Sequence, residues 1–310
     1  MTRIVTYREA LNEALFEEMH HDDRVFAIGL GVAKRGGSFG VTRGLLDVFG
    51  PDRVIDMPIS ESSFTGMGIG AAMQGKRPVV EIMSIDFSTL GLDMMTNQAA
   101  KYHFITGDVQ RVPMVLRTQG GSGKNVSVQH SQSLEALFYH IPGLKVFMPS
   151  NPYDAKGLLK AAIRDDDPVV FIEHKLLYDT TGEIPDEEYT ITPGTASLTR
   201  QGSDCTIVSW SHMVAKCVAA ADKLAEEGVS CEVIDLRTLV PMDREAIRAS
   251  VAKTGRLVVA TEAVRRGSVA SDIAAWAAEH IFDSLKAPVV RVAGRPTPIP
   301  YSDVIERLCV

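Results

Sequence analysis

Arg53-Val54-Ile55-Asp56-Met57-Pro58-Ile59-Ser60-Glu61-Ser62-Ser63 contains a change of backbone period. The first four residues have the apolar content of a short buried strand, and Pro58, which lacks a backbone N–H for a sheet ladder, stops it. Ser60 is placed to cap a helix of small residues running from Glu61 to Met73. A strand passing directly into a helix is the repeating unit of a parallel sheet, and here it puts Glu61 in the first helical turn. The helix dipole favours an acid there by about 0.3–1 kcal/mol, so a plain capping carboxylate and a working one are both open readings.

The alternation extends in both directions. Strand-like runs at Val25–Ile28, Pro78–Ile82, Pro113–Leu116, Lys145–Phe147 and Val169–Ile172 are separated by stretches with helical spacing. Helices are clearest at Tyr7–His20, Glu61–Met73, Asp93–His103 and Asp154–Arg164, where apolar positions recur at three- and four-residue steps. This predicts an α/β unit over 1–176 with a parallel sheet between helices. Residues 177–198 are rich in acids, Gly, Pro and Thr, with Glu183-Ile184-Pro185-Asp186-Glu187-Glu188 at the centre, and are expected to be a linker. Over 199–310, runs at Thr206–Val208, Cys231–Ile234 and Leu257–Ala260 alternate with helices near Met213–Glu226, Asp243–Lys253 and Val269–Ile281, which predicts a smaller doubly wound domain.

With 310 residues and 45% hydrophobic content, the chain can bury about two cores, and disorder is excluded as its general state. A net charge of −7 without a long Lys/Arg run argues against nucleic acid and anionic membrane as partners, leaving small substrates or proteins. The N-terminus lacks the apolar core of a secretory signal, and no stretch approaches about 20 apolar residues, so a cytoplasmic protein is expected. Cys205, Cys217, Cys231 and Cys309 have no paired metal-ligand spacing and read as reduced thiols without chemistry.

Two motifs imitate nucleotide sites. Gly66-Met67-Gly68-Ile69-Gly70-Ala71 fits a dinucleotide pattern, which makes a nicotinamide-dependent dehydrogenase the remote alternative. Those glycines should open a helix directly after a strand; here they lie inside one already begun, where small residues permit close packing. Gly120-Gly121-Ser122-Gly123-Lys124 imitates a phosphate loop, yet Thr118 stands for its leading glycine and Asn125 for its magnesium-binding hydroxyl.

Several stretches occur in an order that one family shares: Asp56 to Glu61, Asn97-Gln98-Ala99-Ala100-Lys101, Gln129-His130-Ser131-Gln132-Ser133, Pro142-Gly143-Leu144-Lys145-Val146 and Pro152-Tyr153-Asp154-Ala155-Lys156-Gly157-Leu158-Leu159. The chain resembles the β subunit of the thiamine-diphosphate-dependent decarboxylating component of 2-oxo acid dehydrogenase complexes. Glu173-His174-Lys175-Leu176-Leu177-Tyr178 and Ser60-Glu61-Ser62 look most like the acetoin branch, with the pyruvate enzymes next. The resemblance implies a transketolase-like pyrimidine-binding domain followed by a transketolase C-terminal-like domain.

It also implies roles. Glu61 would hydrogen-bond the cofactor's aminopyrimidine and promote the imino tautomer that removes the thiazolium proton, chemistry a partly desolvated acid can perform near neutrality. Ile59 would join Glu61 in cofactor binding, and Phe87 would pack its ring against the pyrimidine, a core aromatic being the alternative. His130, after a Gly-rich polar loop, would lie over the reacting carbon and stabilise or reprotonate intermediates, or orient a lipoyl group. Asp165-Asp166-Asp167-Pro168 ends a helix whose dipole is already negative, and something should neutralise it. The family places potassium there, matching Met114, Ala162, Ile163, Asp165 and Asp167; a solvated turn closed by Pro168 is the other reading.

The family holds the cofactor's diphosphate through magnesium bound by Gly-Asp-Gly and a later Asn, and no Gly-Asp-Gly occurs here. The resemblance therefore implies half of a site, completed by an α subunit in an α2β2 assembly. Where the family has two acids after the first strand's Gly, this chain has Gly29-Leu30-Gly31-Val32, which puts a proton path between paired sites in doubt. It stops at Glu306-Arg307-Leu308-Cys309-Val310, short of the family's usual tail, so docking to a lipoyl acyltransferase core is less secure than cofactor binding. The leading expectation is oxidative decarboxylation of a pyruvate-type 2-oxo acid, or cleavage of acetoin, with acyl transfer to lipoamide. A split transketolase-like or acyloin-forming enzyme without a lipoyl partner is the alternative.

Overall fold

The computed structural model describes residues 1–310. Its strands are β1 (Thr2–Thr6), β2 (Val25–Gly29), β3 (Val54–Asp56), β4 (Arg77–Ile82), β5 (Val115–Gly120), β6 (Lys145–Phe147), β7 (Val169–His174), β8 (Thr181–Pro185), β9 (Ser197–Arg200), β10 (Cys205–Ser209), β11 (Cys231–Asp235), β12 (Thr238–Val240), β13 (Leu257–Val264) and β14 (Val290–Gly294). A seven-stranded sheet has the order β12-β6-β7-β5-β4-β2-β3, and a five-stranded sheet the order β14-β13-β10-β11-β9. All strands of the first sheet run parallel except β12, and all of the second except β9. The apolar runs read from sequence are the central strands of these sheets, because strands covered on both faces carry continuous rather than alternating hydrophobicity.

One face of the larger sheet is covered by helices Tyr7–His21 and Pro152–Arg164 around 23 buried apolar residues that include Leu11, Leu15, Leu158 and Phe171. The other face belongs to a core of 34 residues running from Ile28, Phe64, Leu116 and Val170 into Val208, Trp210, Leu239 and Trp276 of the second half of the chain. The two halves therefore share a continuous hydrophobic interior. β12 reinforces this, since it lies in the second half of the sequence but adds an antiparallel edge to β6.

Helices Glu61–Met73 and Met213–Glu226 have the predicted bounds. The predicted helix Asp93–His103 is a wider π-type segment, Met94–Ala99, running into an α-helix, Ala100–Ile105. Residues 177–198 are more structured than a linker: β8 pairs antiparallel with β1 along its whole length, from Thr2 opposite Pro185 to Thr6 opposite Thr181. That pairing joins segments too short and too polar to announce themselves as strands. Cys217, Cys231 and Cys309 are buried thiols, and Cys205 is partly buried. No helix is long and apolar enough to cross a membrane.

Candidate active site

Parallel strands deliver their following loops to one rim of the sheet, where open α/β folds place ligands. Glu61 follows β3, Phe87 follows β4, and the loop carrying His130 follows β5. With strands about 4.8 Å apart and β2 lying between β3 and β4, the ends that launch Glu61 and Phe87 are separated by about 10 Å.

Glu61 opens helix Glu61–Met73 and is 6% exposed. No side chain or backbone group of the chain donates to its carboxylate or pairs with it, although the residue as a whole is buried, so its oxygens are left free for a ligand. Ser60 occupies the N-cap position but makes no capping bond; its hydroxyl donates instead to the Pro58 carbonyl at 3.2 Å. The expected Ser60 cap is thus replaced by a local turn. Ile59 is 77% exposed, and Met67 and Leu90 stand exposed on neighbouring elements.

Phe87, partly buried in the short helix Ile85–Ser88, meets the exposed His130 edge-to-face, with ring centroids 5.2 Å apart. Beneath them, the Asp86 carboxylate accepts from Ser84 Oγ at 2.6 Å and from Gln132 Nε2 at 2.7 Å, tying this helix to the end of the His130 loop. The structure therefore brings Phe87 and His130 into contact and places Glu61 on the same rim.

Sequence reading missed several supporting groups. Lys175, buried at the end of β7, donates to the His130 carbonyl, and burial lowers its pKa. His174 Nε2 lies 2.7 Å from Glu262 Oε2, and Glu262 also accepts from the Ser122 N–H. Burial opposes ionisation of Glu262, but the His174 and Ser122 bonds outweigh it and bring its pKa down to about 2. His212 stacks on His174 at 4.7 Å; burial and that neighbour lower it to about 4. Glu173-His174-Lys175 was visible as a motif, but only the fold shows Lys175 turned toward the His130 loop and His174 toward the second half of the chain.

A buried charge network underlies the rim. Arg117 of β5 bonds both Glu81 of β4 and Glu173 of β7, and the Tyr178 hydroxyl donates to Glu173 at 2.6 Å. At the far end of the sheet, the oxygens that the resemblance assigns to potassium have partners within the chain. Met114 O accepts from the Val169 N–H at 2.9 Å and Ala162 O from the Asp165 N–H at 3.3 Å. Arg77 Nη1 donates to Ile163 O at 3.0 Å and Asp165 O at 2.8 Å, while Lys145 Nζ bonds both Asp165 carboxylate oxygens at 2.7 Å. Asp167 lies 2.9 Å from His103 Nδ1 and 3.5 Å from Lys145 Nζ. Arg77 and Lys145 thus provide positive charge at this acidic helix end.

The nucleotide-like motifs resolve physically. A Cβ on Gly68 would lie 2.6 Å from Val80 Cγ2, so that glycine lets the helix approach β4. In the Gly120–Asn125 loop the N–H groups of Ser122, Gly123 and Asn125 donate to carboxylates of the same chain.

Residues 3–181 match the family described as Transketolase, pyrimidine binding domain, and residues 194–310 match Transketolase, C-terminal domain. Pyruvate dehydrogenase E1 component subunit beta-2, mitochondrial, of Oryza sativa subsp. japonica is 46% identical over 99% of this chain and 82% of its own length. The chain belongs to the β subunits of the thiamine-diphosphate-dependent 2-oxo acid dehydrogenases. Within this β-subunit family it is also similar to the 2-oxoisovalerate dehydrogenase subunit beta of Bacillus subtilis (strain 168), 43% identical over 98% of this chain and 94% of the relative. Acetoin:2,6-dichlorophenolindophenol oxidoreductase subunit beta of Cupriavidus necator is 44% identical over 100% of this chain and 94% of the relative. These near-equal identities do not separate the substrate branches. A split-gene transketolase in an inactive β4 tetramer shares the fold, with a TM-score of 0.80 at 22% identity over 98% of this chain and 93% of the other.

Proposed function

We propose that this β subunit supplies the aminopyrimidine-binding half of a thiamine diphosphate site, and that an α subunit holds the diphosphate and magnesium. The single observation that carries this is Glu61, a buried carboxyl with no partner of its own at the rim of a parallel sheet. Such a group fits a ligand that shares a proton with it, and the Phe87 ring on the same rim suits a flat heterocycle. Ile59, Met67 and Leu90 are 77%, 52% and 58% exposed around this helix and loop, apolar surface suited to a subunit contact. The chain's lack of Gly-Asp-Gly supports a partner that carries it.

When bound, thiamine diphosphate supplies a nucleophilic carbon and an electron sink for a 2-oxo acid or acetoin. Glu61 holds a proton at the pyrimidine ring nitrogen. Phe87 would pack against that ring and fixes the His130 imidazole, which could donate or accept a proton during the reaction or orient the lipoyl group. The assembly is an α2β2 heterotetramer in this reading, with the acyl group passed to lipoamide on an acyltransferase core. A potassium ion at the Ala162–Asp167 turn would use the second lone pairs of carbonyls that Arg77 already engages. A second reading, acyloin or ketol transfer without a lipoyl partner, is favoured by Leu30 and Gly31 standing where the family has acids.

The test is reductive acylation of lipoamide by this chain purified with its α partner, using pyruvate, branched 2-oxo acids and acetoin as donors. Glu61→Gln in that enzyme should cut turnover by at least about 100-fold, in line with the loss of a general acid–base group. It should leave the melting temperature close to that of the native enzyme, because the substitution breaks no hydrogen bond or ion pair within the chain. Undiminished turnover in this variant would refute the assignment. Acyl products that never reach lipoamide would select the second reading.

A further inference from the structure

The loop that carries His130 begins with Gly120-Gly121-Ser122-Gly123-Lys124-Asn125, the stretch that imitates a phosphate-binding loop. Gly121 and Gly123 sit at φ 87° and 96°, and Asn125 and Ser127 enter the left-handed region at 55° and 71°. Such a path turns successive N–H groups to one side, making a concave anion receptor. Two carboxylates from the distal half of the chain occupy it. Glu262 of β13 accepts from the Ser122 N–H. Glu306, in the C-terminal turn Asp303–Glu306, accepts from Gly123 N at 2.6 Å and Asn125 N at 3.1 Å, one bond to each oxygen.

Glu306 is 3% exposed, although the residues around it, Val304, Ile305 and Leu308, are 72%, 51% and 58% exposed. With those three side chains turned outward, the tail is anchored by the Glu306 carboxylate together with the buried Cys309. The backbone bond from Arg295 N to Cys309 O at 2.8 Å returns the tail toward β14 and aims Glu306 at the loop. On the other side, Lys175 grips the His130 carbonyl. Asn125 and Ser127 hold left-handed conformations that side-chain-bearing residues rarely adopt, and such conformations persist where the surroundings over-determine them. The Glu306 bonds lie at one of these residues and at the neighbouring Gly123.

We propose that Glu306 is a positioning residue for the reaction: its carboxylate occupies the glycine-rich nest and holds the loop in the conformation that presents His130 beside Phe87. This rests on the reading of His130 given above. The phosphate-loop likeness then has a physical cause, since the nest binds an anion of its own chain.

The experiment is a double-mutant cycle in the assembled enzyme with the α partner, combining Glu306→Ala and His130→Ala, with Glu306→Gln as the conservative variant. Glu306→Ala should lower kcat by about 10- to 100-fold, the scale of a misplaced catalytic group, while KM moves less. Glu306→Gln, which keeps one acceptor, should fall between it and the native enzyme. In the His130→Ala background, Glu306→Ala should add almost nothing, because it acts through the imidazole. Hydrogen exchange should show the Gly123 and Asn125 amides losing protection in Glu306→Ala while strands β4, β5 and β7 keep theirs. The proposal is overturned by native kcat in Glu306→Ala, or by an equal loss in both backgrounds. Native kcat in His130→Ala overturns instead the role of His130, and is recognised because that variant leaves the loop amides protected.

Discussion

The rings of Phe87 and His130 meet at 84° with centroids 5.2 Å apart. An edge-to-face contact of this kind contributes about 0.5–1.5 kcal/mol beyond area burial, enough to choose one imidazole rotamer over another. Their loops follow β4 and β5, neighbours in the sheet. In the function proposed above, one aromatic side chain would serve both the cofactor's ring and His130.

Phe87→Ala should accordingly weaken thiamine diphosphate binding by about 3- to 10-fold, from the same interaction energy. It should also lower kcat separately, because His130 loses its neighbour. Titrating the assembled enzyme with cofactor while following turnover measures both. Tighter binding with an unchanged kcat would contradict this role.

The Arg117 network should dominate stability at the rim. Arg117 contacts Glu81 and Glu173, and all three side chains are at most 7% exposed. Arg117→Met leaves two carboxylates buried without their cation, a loss of about 3–5 kcal/mol. Denaturant unfolding of the two proteins reports the difference as a shifted midpoint; a shift below about 1 kcal/mol would mean that the network relaxes freely.

Glu135 should make stability fall with rising pH. It is 2% exposed, and burial raises its pKa from the ordinary 4.5 to about 7. The folded state therefore holds this proton more tightly than the unfolded chain. Its contribution is complete below about pH 4.5 and is lost as pH climbs through about 7, a change on the order of 1–3 kcal/mol. Glu135→Gln should consequently raise the melting temperature at pH 8 relative to the native protein and do less at pH 5. Equal effects at both values would place the proton elsewhere.

Gly68→Ala tests the packing reading of the dinucleotide-like motif. Its Cβ would meet Val80 at 2.6 Å, so helix Glu61–Met73 must move away from β4, at about 1–3 kcal/mol. Lower thermal stability and lower turnover are both expected, since Glu61 begins that helix. Nicotinamide cofactor should bind neither protein in a fluorescence titration.

Local pattern was sufficient wherever neighbours in sequence are neighbours in space. Continuous apolar runs and three- to four-residue periodicity gave the central strands and the helix that begins at Glu61. The order of motifs gave the family, and with it Phe87 and His130. β1, β8 and β12 were illegible because each is a short, polar-edged strand whose partner lies far along the chain.

By itself, then, the sequence determined the parallel α/β plan, the rim on which Glu61 stands, and the membership of the family, because these depend on short-range propensity and burial pattern. Only the tertiary structure decided that the two halves share a core and that Lys175 reaches the His130 carbonyl. It alone showed Glu306 in the Gly123–Asn125 nest, across a separation of 183 residues. Hydrogen bonds between such distant groups leave no periodicity in a sequence; they exist once packing brings a carboxylate and a set of N–H groups together away from water.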